Sequence, residues 1–587
     1  MAEPAWRRRF RAARVGFPLW ARERPDRLIY LSNESGKHEV HAWDRARDAR
    51  RQVSDRPEGT GYRVPSRIDP GGDDIWSWND AKGDEFGTWT VEPFAGGSSR
   101  DAAPLEASFS AGLALGHGVA VIGRSDDDGT TVHVVPRGDR PLQVYAHPEH
   151  AVVRELSADE TLFALDHSEH GDARNRAVRI LDLTGHAVAQ AWDGPGCGLT
   201  SGEWSPIPGD QRLIVGHERR GRREPMVFSP LTGEQRQLAI DLPGEVFARW
   251  SPDASALLLI HEHRGRSELH RLDLASGATS RLPCPAGTVD DARVRPDGEV
   301  WYRLTSSAEP PAVRDARGVV LTAPGDPAPP GVCYSDVDVG GVHAFVAAPP
   351  GAGPHPAMFL VHGGPEAHDS DGFSPQVQAW VDHGFAVLLA NYRGSSGYGK
   401  AWRDALRGDP GFTELADLAA VRDWAVAGGL ADPDRCVIGG GSWGGYLTLL
   451  ALGTQPQRWS LGIAGVPIAD YIAAYEDEME PLRKYDRAIF GGTPAEVPEL
   501  YRERSPITYV ERVRVPVMIL AGANDPRCPI RQIENYVARL RELGKPHEVY
   551  RYEAGHGSLV IDEQLRQLAA QIDFAARHLG TTAVIGA

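Results

Sequence analysis

The chain has 587 residues, which is too long for one ordinary hydrophobic core. Apolar residues make up 41% of it and charged residues 24%, a composition typical of globular proteins. Its net charge of -17 argues against a nucleic-acid-binding protein, because counterion release needs a basic surface. The 65 glycines and 45 prolines indicate many turns and disfavour an all-helical fold.

Neither the amino terminus nor the cysteines suggest export or a membrane. The first eleven residues are basic, but no apolar stretch of signal-peptide length follows them. The longest apolar runs are strand-sized, far short of the roughly 20 residues that span a bilayer. The five cysteines are widely scattered and form no paired motif. We therefore expect a cytoplasmic protein with reduced thiols and no membrane span.

Residues 27–325 repeat one unit, in which a turn is followed by two alternating runs of β-branched or aromatic residues. The unit recurs about once every 45 residues, the period of four-stranded propeller blades. Seven such runs predict a seven-bladed β-propeller; the alternative is one or two β-sandwiches. The runs begin at Leu28, Ile75, Val119, Leu162, Leu213, Leu257 and Val300.

After a connector rich in proline and glycine, residues 323–330, apolar strands alternate with helical stretches. That order predicts an α/β fold. We predict three parts: residues 1–26, helical and packed on the last domain; residues 27–325, the propeller; and residues 326–587, the α/β domain.

The most informative motif lies in the α/β domain. Gly440, Ser442 and Gly444 form a G-x-S-x-G pattern between a predicted strand and a predicted helix, which is the context of a nucleophile elbow. The glycines suit a tight turn in which a side chain would collide with neighbouring backbone. A glycine-rich turn of a nucleotide-binding fold is the alternative, but no P-loop lysine follows. The context favours Ser442 as a nucleophile.

A serine hydroxyl needs a base, and the base needs an acid that orients it. In an α/β-hydrolase the acid and the histidine follow the serine along the chain. Asp525 and His556 each follow a predicted strand in that order, and glycines flank His556. We predict a triad of Ser442, Asp525 and His556. The alternatives are a turn-capping role for Asp525, and His547 or His578 as the base.

The oxygen of a tetrahedral intermediate also needs hydrogen-bond donors. The backbone N–H of Trp443, next to the nucleophile, is one predicted donor. Two glycine-containing stretches, residues 362–365 and 391–399, are candidates for the second donor, and each could equally be a turn.

Three segments together resemble the prolyl oligopeptidase family of serine peptidases, and most closely its acylaminoacyl-peptidase branch. The resemblance implies an α/β-hydrolase catalytic domain after a propeller that controls access. It also implies hydrolysis of short peptides or aminoacyl amides, and it makes a homo-oligomer plausible. The segments are Gly440–Tyr446, Asn524–Arg527 and Gly555–Gly557.

The same resemblance assigns two further roles. It makes the hydroxyl of Tyr398, rather than Tyr392, the second oxyanion donor. It also makes Arg527 a ligand of a substrate backbone carbonyl, a role that suits the guanidinium fork; the alternative for Arg527 is an ion pair.

One acidic stretch, residues 470–480, is predicted to overhang the substrate pocket. Tyr471 and Tyr475 are candidates to line it. Glu476 or one of the two acidic residues after it could hold a substrate ammonium group, although such a run is more often a solvated helix face.

Two other functions stay open at this stage. The same triad could act as an amidase or esterase on a small aminoacyl substrate, because a fold does not determine the substrate. The chain could also be a non-catalytic propeller binding protein. The predicted chemistry needs no cofactor and no metal ion, and we expect no nucleic-acid or membrane partner.

Overall fold

The computed structural model describes residues 3–61, 63–80 and 82–581. Antiparallel sheets occupy the chain between residues 19 and 321, and a mixed sheet with helices on both faces begins at residue 335. No helix in these described ranges has the length and apolar character needed to cross a membrane.

The first region contains five four-stranded sheets and one eight-stranded sheet. The first is β1 to β4: Leu19–Trp20, Arg27–Ser32, Glu39–Asp44 and Ala49–Gln52. The eight-stranded sheet is β5 to β12: Arg67–Ile68, Asp74–Asn79, Phe86–Pro93, Arg100–Asp101, Ser108–Leu115, Val119–Asp126, Gly129–Pro136 and Leu142–His147. Next come β13 to β16: Ala151–Leu156, Leu162–His167, Ala177–Asp182 and Ala187–Ala191.

Three further four-stranded sheets complete this region. The first of the three is formed by β17 to β20: Thr200–Trp204, Leu213–His217, Glu224–Ser229 and Glu234–Gln237. The second is formed by β21 to β24: Glu245–Trp250, Ala256–His263, Arg266–Asp273 and Thr279–Arg281. The last is β25 to β28: Thr288–Val294, Val300–Thr305, Ala312–Asp315 and Gly318–Leu321.

These sheets form a β-propeller. Apolar side chains from successive sheets pack together, and the last sheet packs against the first. At that closure Trp43 stacks on Trp301, with ring centroids 6.3 Å apart. Closing the ring leaves only short strand edges exposed.

The prediction of seven separate blades is wrong. The first residues of β7 extend past their own sheet and pair with β9, through Phe86 with Phe109 and Gly87 with Ser108. The strands of residues 67–147 therefore form one continuous sheet beside five four-stranded blades. Turn spacing predicts strands, but the pairing partners depend on strand length and packing.

The second region is built on one eight-stranded sheet in the order β29-β30-β32-β31-β33-β34-β35-β36. From β32 onward, neighbouring strands in this order are parallel, as in doubly wound folds. The strands are Ser335–Val339, Val342–Ala347, His355–Val361, Ala386–Asn391, Ala431–Gly441, Leu461–Gly465, Val517–Gly522 and His547–Tyr552, numbered β29 to β36 along the chain.

Ten α-helices lie in the described residues. They are α1 to α10: Ala5–Arg11, Pro375–Asp382, Lys400–Arg403, Phe412–Ala427, Trp443–Thr454, Tyr471–Asp477, Glu480–Phe490, Pro498–Arg504, Ile530–Glu542 and Ile561–Leu579. Two 3-10 helices, Asp404–Leu406 and Pro506–Arg512, follow α3 and α8. Helix α1 contacts α2 and α10 of the second region, and its Arg9 pairs with Asp382 at 2.5 Å.

Helix α5 is almost wholly apolar and buried, and it packs against β33 and β34. A helix that is apolar on all sides belongs inside a domain. Its buried position holds the turn that precedes it at the carboxyl end of the parallel strands, the edge where sites of α/β folds assemble.

Candidate active site

Ser442 occupies a strained turn between β33 and α5. Its φ of 57° and ψ of -120° are rare for a residue with a side chain. Its N–H donates to the carbonyl of Gly465 at 2.9 Å. A Cβ atom on Gly440 or Gly444 would collide with the carbonyl oxygen of Val361. Only glycines at these two places let α5 begin so close to the sheet.

Asp525 and His556 lie together in loops that follow the neighbouring strands β35 and β36. His556 Nδ1 is 2.7 Å from Asp525 Oδ2. The other carboxylate oxygen accepts the N–H groups of Arg527 at 2.8 Å and Cys528 at 3.0 Å. Burial alone would raise the pKa of Asp525, but His556 and these donors outweigh it and hold the pKa below its usual range.

The loop that carries His556 is held by close backbone packing. The N–H of Asn524 donates to the carbonyl of Ala554 at 3.1 Å, which ties the acid loop to the histidine loop. A Cβ on Gly555 would collide with the carbonyl of Gly83 in the propeller. His556 therefore sits where the two domains meet.

Among the described residues, no hydrogen bond within 3.5 Å joins the Ser442 hydroxyl to His556. Ser442 follows β33, and β34 alone separates that strand from β35. Catalytic hydrogen bonds are often long without substrate and tighten in the complex. The acid and the base are thus paired, and the serine lies at the same edge of the sheet.

The predicted donor Trp443 begins α5, so its backbone N–H has no acceptor one turn earlier in the helix. Its indole points away and donates to Glu414 at 3.1 Å. Gly363, in one of the two candidate stretches, lies beside the nucleophile: a Cβ built on it would be 3.3 Å from Ser442 Cβ and 3.9 Å from the Trp443 nitrogen.

The hydroxyl of Tyr398, which the resemblance makes the second oxyanion donor, has other hydrogen-bond partners in this structure. Its hydroxyl is 2.5 Å from His343 Nδ1 and accepts from Asn391 Nδ2 at 2.7 Å. His343 Nε2 is 3.0 Å from Asp336, which pairs with Arg266 of the propeller. Burial raises the pKa of Tyr398. The hydroxyl is therefore linked to the propeller through His343 and Asp336, and the sequence pattern had no means to show this.

Arg527 forms a two-point ion pair with Glu85 of the propeller. Its Nε is 2.6 Å from one carboxylate oxygen and its Nη2 is 2.7 Å from the other. Burial alone would lower the pKa of Arg527, but Glu85 outweighs it and raises the pKa. No motif marks Glu85, because it lies more than 400 residues away in the chain.

The three residues predicted to line the pocket or to hold a substrate ammonium group lie in different surroundings. Tyr471 is fully buried in the core, with its ring centroid 5.1 Å from that of Tyr446, so it cannot line an open pocket. Tyr475 is half-buried and packs near Tyr501. Glu476 is exposed and pairs with Arg531 at 2.8 Å, as in a solvated helix face. Helical periodicity had not revealed which face is covered.

A cavity of about 1030 Å³ lies between the two domains. Gly363 and Gly441 line it next to Ser442, and propeller residues such as Thr288 line the opposite wall. A second cavity, of about 210 Å³, borders His556 and the carboxylate of Glu85.

Two groups of side chains have metal-ligating atoms within 4.8 Å of one another in the described part of the chain. One joins Asp525 and His556 to the buried thiol of Cys528, which the sequence motifs did not mark. The other is His261, Glu268 and His270 in the propeller. Acyl transfer by a serine, a histidine and backbone donors requires neither group to bind an ion.

The sequence model of the prolyl oligopeptidase family matches residues 371–582. Dipeptidyl peptidase family member 6 of Caenorhabditis elegans is 34% identical over 211 residues, 35% of this chain and 28% of that protein. The acylamino-acid-releasing enzyme of Rattus norvegicus is 25% identical over 420 residues, 68% of this chain and 53% of that protein. The chain therefore spans only part of the length of these relatives.

Solved structures match along the whole chain. A puromycin hydrolase aligns with a TM-score of 0.82 at 21% identity, covering 99% of this chain and 97% of its own. An acylaminoacyl peptidase of Pyrococcus horikoshii aligns with a TM-score of 0.72 at 16% identity, covering 98% of this chain and 98% of its own. At such identities the likeness shows the fold, a β-propeller followed by an α/β-hydrolase domain. The sequence match identifies residues 371–582 of this chain as a domain of the prolyl oligopeptidase family.

Proposed function

We propose that this protein is a serine peptidase that hydrolyses short peptides through an acyl-enzyme intermediate. The observation that carries the proposal is the 2.7 Å pair of Asp525 and His556, at the same sheet edge as a serine in an elbow turn. This arrangement supplies a nucleophile, a base and an orienting acid.

Ser442 attacks the scissile carbonyl while His556 Nε2 takes its proton. Asp525 holds His556 through Nδ1, so that Nε2 is the unprotonated nitrogen, and stabilises the imidazolium that forms. His556 then gives the proton to the leaving amine. A water molecule, activated by the same histidine, cleaves the acyl-enzyme in the second half of the reaction.

In this scheme the negative oxygen of the tetrahedral intermediate accepts hydrogen bonds from two backbone N–H groups. One is the N–H of Trp443 at the start of α5. The other comes from residues 362–365, because Gly363 lies beside Ser442 while the Tyr398 hydroxyl is bonded elsewhere. Such donors act when they are fixed before the charge develops.

An exopeptidase of the acylaminoacyl-peptidase or aminopeptidase type fits best. Curated relatives include acylamino-acid-releasing enzymes and a dipeptidyl aminopeptidase. In this proposal Arg527, held by Glu85, binds a substrate carbonyl, and the propeller admits only short or unstructured peptides. Glu85 uses Nε and Nη2, and the second terminal nitrogen of the guanidinium serves the substrate.

A fluorophosphonate probe tests the catalytic proposal. We expect it to label the parent protein on Ser442 and to leave Ser442→Ala unlabelled. Peptide-amide substrates should then be hydrolysed by the parent and not by the variant. An unlabelled parent protein, folded by circular dichroism, would rule the peptidase out.

The type of exopeptidase follows from a matched pair of substrates. A free-amine aminoacyl p-nitroanilide and its N-acetylated form differ only in the charge at the amino end. A preference for the acetylated form identifies an acylaminoacyl peptidase, and the opposite preference identifies an aminopeptidase.

Location and assembly stay predictions. A cytoplasmic location rests on the five cysteines, which are all free thiols. A homo-oligomer rests on the family resemblance and can be measured by light scattering.

A further inference from the structure

Arg14 is a cation at the edge of the interdomain cavity, and the proposed mechanism does not use it. It lies between α1 and the first propeller sheet. Its backbone N–H donates to Asn33 Oδ1 at 2.6 Å, and Val15 forms a bridge with Ser32. The N–H of Gly16 donates to the carbonyl of Leu31 at 2.8 Å. The backbone that carries Arg14 is therefore fixed against β2.

In the described part of the chain, the guanidinium of Arg14 has no counter-ion from the protein. Within residues 3–61, 63–80 and 82–581, no carboxylate lies within 4.0 Å of it. Its Nε is shielded from solvent and has no hydrogen-bond partner. Burial lowers the pKa of Arg14, but a guanidinium remains charged at neutral pH. The rest of the guanidinium is only partly shielded, so its two terminal nitrogens remain available to an anion in the cavity.

The surroundings of Arg14 are also positive. Arg303 lines the same cavity and donates from Nε to the carbonyl of Val15 at 2.8 Å. Burial and the charge of Arg14 lower the pKa of Arg303 to about 10. His38 lines the cavity as well, and burial with both arginines lowers its pKa to about 4. Asp290 pairs with Arg303 and so offsets one of the two arginine charges.

Two other carboxyl groups, those of Glu262 and Asp369, line the cavity. Burial, with Glu245, raises the pKa of Glu262 to about 7. Burial also raises the pKa of Asp369 to about 7. Neither forms an ion pair with Arg14 in the described residues. One positive charge therefore remains at this end of the cavity, against carboxyls that are partly neutral at pH 7.

We propose that Arg14, supported by Arg303, binds the terminal carboxylate of a short peptide in the interdomain cavity. The cavity runs from Gly363 and Gly441, next to Ser442, to Arg14, and its volume suits a peptide of a few residues. A carboxylate matches the guanidinium fork with two parallel hydrogen bonds. The carboxyl end of a peptide lies on the leaving-group side, so Arg14 selects short leaving groups. This inference rests on the proposed peptidase function.

Binding to Ser442→Ala tests the idea without turnover. Isothermal titration with trialanine and with trialanine amide compares two ligands that differ in the terminal charge. We expect the acid to bind about 10- to 100-fold more tightly, as for charge-assisted hydrogen bonds. An amidated tripeptide that ends in glutamate shows whether a side-chain carboxylate serves equally well.

Substitution of Arg14 identifies the partner. In the Ser442→Ala background, Arg14→Gln should remove the preference for the acid, and Arg14→Lys should restore part of it. Arg11→Gln is the matched control, since Arg11 lies on the same segment, half-exposed and paired with Glu3 and Asp562. Thermal unfolding of each variant reports whether the fold is intact.

The inference is overturned if the acid and the amide bind equally, if neither binds, or if the preference survives in Arg14→Gln. These outcomes are separable from a failure of the peptidase proposal, which fluorophosphonate labelling of Ser442 in the parent protein decides. A labelled enzyme without carboxylate preference would retain its function and lose only this subsite.

Discussion

Replacing Asp525 with asparagine tests the arrangement of the acid and the base. The asparagine side chain would keep the shape of the aspartate and an oxygen for the N–H groups of Arg527 and Cys528. It would turn an NH₂ group toward His556 Nδ1, where a carboxylate oxygen now lies at 2.7 Å. His556 would then have to accept at Nδ1 and carry its proton on Nε2, which removes the base.

The expected loss follows from this change of tautomer. We expect kcat to fall by about 10⁴-fold, or about 5.5 kcal/mol in the barrier, with a smaller change in KM. The assay is steady-state hydrolysis of an aminoacyl p-nitroanilide, with thermal unfolding measured alongside. Asp182→Asn is the matched control, because Asp182 also accepts two backbone N–H groups, far from the site. A folded Asp525→Asn variant that keeps kcat within tenfold of the parent would refute the reasoning.

Gly363→Ala should lower kcat by about 100-fold, because the new Cβ would lie 3.3 Å from Ser442 Cβ. Tyr398→Phe should lower kcat less than tenfold. Steady-state kinetics on one substrate compare the two variants, and a larger loss in Tyr398→Phe would contradict the assignment of the oxyanion donor. Burial raises the pKa of Asp486 to about 7 beside Glu478, so the free energy of unfolding should fall as pH rises from about 4 to 7. Asp486→Asn should raise the Tm at pH 8, and an unchanged or lower Tm there would count against this. EDTA should leave the rate of hydrolysis unchanged, since the chemistry uses only protein groups. A loss of activity in EDTA that added metal ions restore would contradict the scheme.

The contact between the domains brings residues of the propeller against the loops that carry Arg527 and His556. The propeller carries Glu85 to Arg527, and the loop with Gly83 packs on the loop of His556. A second contact joins Arg266 to Asp336 at 2.7 Å. Because the propeller touches loops of the site, a change in domain packing would alter the position of the histidine as well as the access of substrate.

Local sequence patterns determined the class of fold and the central residues of the candidate site. The change from alternating runs to strands and helices near residue 323 separates propeller from α/β domain, because each period reflects one kind of local structure. Ser442 could be predicted because an elbow turn needs glycines around it. Asp525 and His556 could be predicted because they follow strands whose ends meet at one edge. The family match at residues 371–582 confirms the predicted resemblance.

Only the tertiary structure decided which distant groups meet. The pairing of β7 with β9, the contact of Tyr398 with His343 and the ion pair of Arg527 with Glu85 all join segments whose local patterns carry no information about each other. The proximity of Gly363 to Ser442 likewise depends on the packing of neighbouring strands. The sequence by itself therefore determined the proposed nucleophile, base and acid, while three-dimensional packing decided what surrounds them and left Arg14 facing the cavity.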